Sequence, residues 1–102
     1  MVKKTLIYWR DIPAQVIVRR GRKREKAQLS SRFQEAIDRA AMRAGKGSSD
    51  AYMSEWRRES SSVETDAGLR EIAEQEISRL ESEFSDEALL QLIRSNGAAG
   101  EQ

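Results

Sequence analysis

Thr5-Leu6-Ile7-Tyr8-Trp9-Arg10-Asp11-Ile12-Pro13-Ala14-Gln15-Val16-Ile17-Val18-Arg19-Arg20-Gly21 contains two runs rich in β-branched and aromatic residues, separated by Asp11-Ile12-Pro13. Such side chains suit a pleated, half-buried surface, and Pro13 fixes φ and withholds an amide from any ladder. The pattern therefore predicts strand, turn, strand, with Gly21 marking the exit. A lone hairpin is barely stable in water, so the rest of the chain has to add a strand and a helix that covers one face.

Beyond Gly21 the period changes. From Lys23 or Glu25 onward, Leu29, Phe33, Ile37 and Ala40/Ala41 recur at steps of three and four, with Arg32, Glu35, Asp38, Arg39 and Arg43 between them. This is an amphipathic helix stopped by Gly45 and Gly47. Residues Ala51 to Arg58 fit two templates. As a helix, Asp50 caps the segment and Tyr52 and Trp56 stand at i, i+4; as a strand, Tyr52, Ser54, Trp56 and Arg58 share a face. The hairpin's need for a third strand favours the strand.

Glu59 to Glu64 is serine-rich and expected to be loop. Thr65 or Asp66 then caps a long helix carrying Leu69, Ile72, Ala73, Ile77, Leu80 and Phe84 at helical spacing, and Ser85 opens a short last helix through Ile93. The expected fold is α+β, in the order ββαβαα: a small antiparallel sheet (hairpin plus a third strand) covered by an amphipathic helix, with one long and one short C-terminal helix. One domain spans 1–96, and 97–102 form a flexible tail.

Composition narrows the chemistry. In 102 residues with 38% hydrophobic and 34% charged side chains there is room for one modest core. The chain has neither cysteine nor histidine. Disulfides, thiolate sites and the commonest transition-metal ligands are thus excluded, along with the usual general base near neutral pH. No cofactor and no metal are expected. Met1 to Trp9 is too short an apolar run for an export signal, and no stretch is long enough to span a bilayer, which predicts a cytoplasmic protein without a membrane partner.

A net charge of +1 conceals a polarised chain: residues 1–50 carry 13 Lys/Arg against 5 Asp/Glu, and residues 51–102 carry 5 against 12. The densest feature is Arg19-Arg20-Gly21-Arg22-Lys23-Arg24-Glu25-Lys26. Its cations Arg19, Arg20, Arg22, Lys23, Arg24 and Lys26 suit a phosphate backbone; the plainer alternative is a solvated hairpin end that complements the acidic half.

Tyr8, Trp9, Tyr52 and Trp56 form either an interface patch or ordinary core. Neighbours on a strand point to opposite faces, so Tyr8 and Trp9 cannot both face the helix. Asp11 and Asp38 are candidate acids, but each stands beside an arginine and is more simply a salt bridge or turn cap. The carboxylates Glu71, Glu74, Glu76, Glu81 and Glu83 lack calcium-loop spacing, and no phosphate-binding glycine loop or nucleophile triad is present.

The wording Ile7-Tyr8-Trp9-Arg10-Asp11-Ile12-Pro13-Ala14-Gln15-Val16, Gly21-Arg22-Lys23, Arg32 to Arg43, Asp50-Ala51-Tyr52 and Trp56-Arg57-Arg58 resembles a small bacterial virulence-factor domain. That domain is found alone in proteobacteria and is similar to the end of conserved virulence factor C proteins. The resemblance runs over about residues 3–93 and implies a phenotype, not a mechanism. It further implies at most an accessory role beside corrinoid- and folate-dependent one-carbon metabolism.

The leading expectation is a non-enzymatic accessory or adaptor domain that docks a protein partner through Trp9, Arg10, Arg22, Lys23, Tyr52, Trp56 and Arg57. The alternative is a nucleic-acid-binding domain that uses the basic run 19–26. Homo-oligomerisation is compatible with either.

Overall fold

The computed structural model describes residues 1–98. Four strands and four helices follow in the order β1 (Val2–Trp9), β2 (Ile12–Arg20), β3 (Lys23–Gln28), α1 (Ser31–Arg43), α2 (Ser49–Met53), β4 (Trp56–Val63), α3 (Leu69–Glu83) and α4 (Asp86–Arg94). The strands form one antiparallel sheet in the order β3-β2-β1-β4. The chain is α+β, as expected, with the predicted hairpin at its centre.

Two elements lie beyond the expected ββαβαα. Lys23–Gln28 continues the sheet as β3 instead of opening the helix, which begins at Ser31. The region expected to be one strand over 51–58 divides: α2 takes its first residues and β4 starts at Trp56. β4 then runs through the serine-rich segment expected to be loop, because β1 offers it a full ladder from Val2↔Val63 to Trp9↔Trp56. Neither Thr65 nor Asp66 caps α3, whose N-cap is Gly68. The Thr65 hydroxyl instead accepts from the Ala67 amide at 3.1 Å, holding the loop before the helix. Ser85 does cap α4, accepting from the Ala88 amide at 3.1 Å.

Alternation along the strands separates two faces. Val16 and Val18 of β2 are buried in the core with Phe33, Ala36, Ile37 and Ala40 of α1 and Ala73 and Leu80 of α3. Fully burying a Val, Ile or Phe contributes about 1.5–3 kcal/mol, so this layer supplies most of the stabilisation available to so small a chain. Small alanines on α1 permit its close approach.

At one end of the sheet a register shift leaves Ala14 as the extra residue of β2, between the pairs Ile7↔Gln15 and Tyr8↔Pro13. There Trp9 and Ile12 are fully buried. The Trp9 ring stacks on Tyr52 of α2 with centroids 6.0 Å apart, and its Nε1 donates to the Tyr52 carbonyl at 2.8 Å. Gly97 closes this corner with φ +89°, its carbonyl accepting from the Asp11 amide at 2.8 Å. The flexible tail expected over 97–102 lies outside the described residues from residue 99 onward.

Candidate functional site

The sheet face turned away from α1 and α3 is built by register alone. Three rows cross the strands: Arg24, Arg19, Lys3 and Ser62; Lys26, Ile17, Thr5 and Ser60; Gln28, Gln15, Ile7 and Arg58. The Thr5 and Ser60 hydroxyls meet at 3.0 Å, which fixes them on one side. Five cations and no carboxylate stand in these rows, and all five cations are exposed. Directly opposed side chains in an antiparallel pair have Cβ atoms roughly 4.5–5.5 Å apart, so Arg24, Arg19 and Lys3 form a continuous strip of like charge. Among the described residues, none of the five takes part in an ion pair within 4.0 Å.

Of the basic run singled out in the sequence, only Arg19, Arg24 and Lys26 share this face. Arg20 points to the helix side and donates to the carbonyls of Thr65 at 2.9 Å and Ala67 at 2.7 Å, tying down the loop before α3. Lys23 pairs with Arg20 across the ladder, and Arg22 sits in the intervening turn, both exposed. Sequence reasoning missed Lys3 and Arg58. Lys3 was visible as a β1 residue two positions from Thr5, but Arg58 joins the face only once β4 is known to pair with β1.

The arginine and aromatic set proposed for protein docking is largely engaged inside the fold. Trp9 has no exposed surface and is covered by Tyr52. Arg10, at φ 54°, sits in the β1–β2 turn. Its Nε donates to Glu55 at 3.2 Å, its Nη1 to the Asn96 carbonyl at 2.9 Å, and its guanidinium lies 5.4 Å from the Trp9 ring centre. Arg57 covers the Tyr8 ring at 4.4 Å, donates to the Arg10 carbonyl at 2.6 Å and to Asp11 at 2.8 Å, and pairs with Glu59. Burial lowers its affinity for the proton, but the bonds to Glu59 and Asp11 outweigh that and hold it firmly charged.

Tyr52 and Trp56 meet edge to face at 5.8 Å, both half-buried. Trp56 still borders a cavity of about 300 Å³ at the end of the open face, with Ile7, Gln15, Met53, Arg57 and Arg58. The candidate acid Asp11 is held by Arg57, and Asp38 accepts from Gln34 at 3.0 Å.

On the opposite face lies a carboxylate that nothing in the spacing of the acidic helix distinguished. Glu76 of α3 is 5% exposed and receives Lys4 at 3.1 Å and Arg79. Burial pushes its carboxyl up, yet the bonds from Arg79 and Lys4 prevail and hold it below its ordinary value. Nearby Tyr8 is pushed up, first by burial and then by Glu59. The bond from Lys4 to Glu76 ties α3 to β1. Among the described residues no three His, Cys, Asp or Glu side chains group as a metal site, and no helix is long and apolar enough to cross a membrane.

A family model described as "Virulence factor" matches residues 7–93, which takes in the end of β1, all of β2, β3 and β4, every helix but the last residue of α4, and four of the five cations of the open face. The chain belongs to the virulence factor family. The resemblance in the sequence is therefore a family membership, and the family's shared region is the folded body of this domain. No curated protein and no solved structure matches the virulence factor chain.

Proposed function

We propose that this virulence factor domain is a non-catalytic nucleic-acid-binding module that holds a phosphate backbone on the open face of its sheet. The observation that carries the reading is the strip Arg24–Arg19–Lys3, three like charges side by side in register with no carboxylate among the rows. Like charges directly opposed across a ladder destabilise a sheet, and local departures from good folding design concentrate where a protein works. A polyanion relieves that repulsion and releases its own counterions on binding.

No aromatic side chain stands in the three rows. The rows therefore offer no platform on which bases stack, and the cations engage phosphates, which position a strand without reading its sequence. The first test is fluorescence anisotropy with a labelled single-stranded 20-mer of mixed sequence. The double variant Arg24→Ala/Lys26→Ala should weaken binding at least tenfold, and Arg22→Ala/Lys23→Ala, off the face, no more than about threefold. Equal losses in the two variants would reduce the site to unspecific charge around the hairpin.

A second reading, the protein adaptor, is favoured by the apolar shoulder where Met53 is 64% exposed beside half-buried Trp56. Any accessory role in corrinoid- or folate-linked one-carbon metabolism belongs to this reading. A partner docking there would be sensitive to Met53→Asp and Trp56→Ala and indifferent to Arg24→Ala/Lys26→Ala, the reverse of the pattern expected for nucleic acid.

A further inference from the structure

Within the open face the cations are not evenly spread. Lys3, Thr5, Ile17, Arg19, Arg24 and Arg58 line a cavity of about 120 Å³. Four positive side chains converge on it from all four strands, and the Thr5 hydroxyl, bonded to Ser60 at 3.0 Å, lies at the same place. A backbone phosphodiester brings a single negative charge. A phosphomonoester brings about −1.5 to −2 at pH 7 and three strong acceptor oxygens, which match arginine forks approaching from several sides.

We infer that this cavity is a subsite for the terminal phosphate of a nucleic-acid strand. The inference rests on the nucleic-acid reading and adds that the domain recognises a phosphorylated strand end. Lys26 continues the cationic surface beyond the cavity on the same face, where it meets the next phosphates of the chain. Ile17 and Ile7 stand among the charges in the same rows.

The test compares one ten-residue oligothymidylate in three forms, bearing a 5′-phosphate, a 3′-phosphate or hydroxyls at both ends, at constant ionic strength. At pH 7.5 at least one phosphate-ended strand should bind ten times more tightly than the hydroxyl-ended one. At pH 5, below the second phosphate pKa of about 6, the advantage should shrink to threefold or less. The chain has no histidine to titrate over that interval. Inorganic phosphate should erase the advantage while leaving the hydroxyl-ended strand bound.

Equal affinities for all three strands would overturn the subsite and leave the backbone-binding face intact. Inorganic phosphate binding as tightly as the phosphate-ended strand would assign the cavity to a free anion and overturn the strand-end inference. No binding of any strand would overturn both readings.

Discussion

Glu81 of α3 caps α1 from outside: its carboxylate accepts the Ser30 backbone amide at 2.7 Å and the Ser30 hydroxyl at 3.0 Å. Ser30 is the N-cap of α1 but makes no side-chain cap of its own, and the first turn holds no acid. In a capping box the acid comes from the same helix, three residues on; here α3 supplies it. Arg32 locks the arrangement, with Nη2 reaching both the Glu81 carboxylate at 3.0 Å and its carbonyl at 2.8 Å.

Glu81→Ala should therefore destabilise the domain by about 1–2 kcal/mol, the range for a lost cap, although the residue sits 51 positions from the amide it serves. Urea unfolding at pH 7 measures it. A double-mutant cycle with Ser30→Ala, which removes the hydroxyl and keeps the amide, should show coupling, and additive losses would mean that the hydroxyl bond carries no energy.

Gly97→Ala is the sharpest packing test. At φ +89° an L side chain is strained, and an added Cβ would lie 2.9 Å from Trp9 Cζ3. Left-handed strain of about 1–2 kcal/mol and overpacking of about 1–3 kcal/mol both act, so a loss of about 2–5 kcal/mol is expected. Thermal unfolding followed by tryptophan fluorescence would report it. A loss below about 1 kcal/mol would show that the corner at Trp9 repacks freely.

Acid should loosen the grip of α3 on the sheet. Glu76, Glu55 and Glu81 all have carboxyls held below their ordinary value of 4.5: Glu76 by Arg79 and Lys4 against burial, Glu55 first by Arg10, and Glu81 by Ser30 and Arg32 against burial. A depressed carboxyl contributes stability that is full above its unfolded pKa and is lost as pH falls through the folded one. Stability should thus be flat near neutrality and decline from about pH 4.5 downward. Glu76→Gln should lower stability at pH 7 by about 2 kcal/mol, since Lys4 loses its buried partner, and its acid decline should be shallower than that of the parent. An identical slope in the two proteins would remove Glu76 from this account.

Residues that work as binding groups should be dispensable for folding. Arg24→Thr removes a like charge opposite Arg19 and adds a residue that suits a strand, so stability should rise by about 0.3–1 kcal/mol while strand affinity falls. Chemical denaturation and anisotropy on the same preparation separate the two effects. A destabilised Arg24→Thr would identify the arginine as structural.

The central hairpin, α1 and the two C-terminal helices were legible because their apolar residues recur at one clear period. β3 was hidden because its helix-side residues are Lys23, Glu25 and Ala27, which leave no apolar alternation, while the spacing of Leu29 and Phe33 extends backward as if helical. β4 was hidden for a different reason. At the sheet edge it needs little burial, and only its ends, Trp56, Arg57 and Val63, are partly covered, so a strand made by β1's ladder resembles a serine loop. The open face suffered from both errors. Its cations come from four strands, and a basic run read along the chain mixes Arg19, Arg24 and Lys26 with Arg20, which faces the other way. Pairing, not sequence proximity, assembles the site.

The salt dependence of affinity for a single-stranded oligonucleotide reaches the central claim most directly. With each neutralised phosphate contributing about −0.7 to the slope of log K against log salt, a face of four or five cations predicts a slope of about −3. Arg24→Ala/Lys26→Ala, which leaves two or three of them, should flatten it to about −1.4 to −2.1. A slope near zero, or one unchanged in that variant, would contradict nucleic-acid binding on the open face of the sheet.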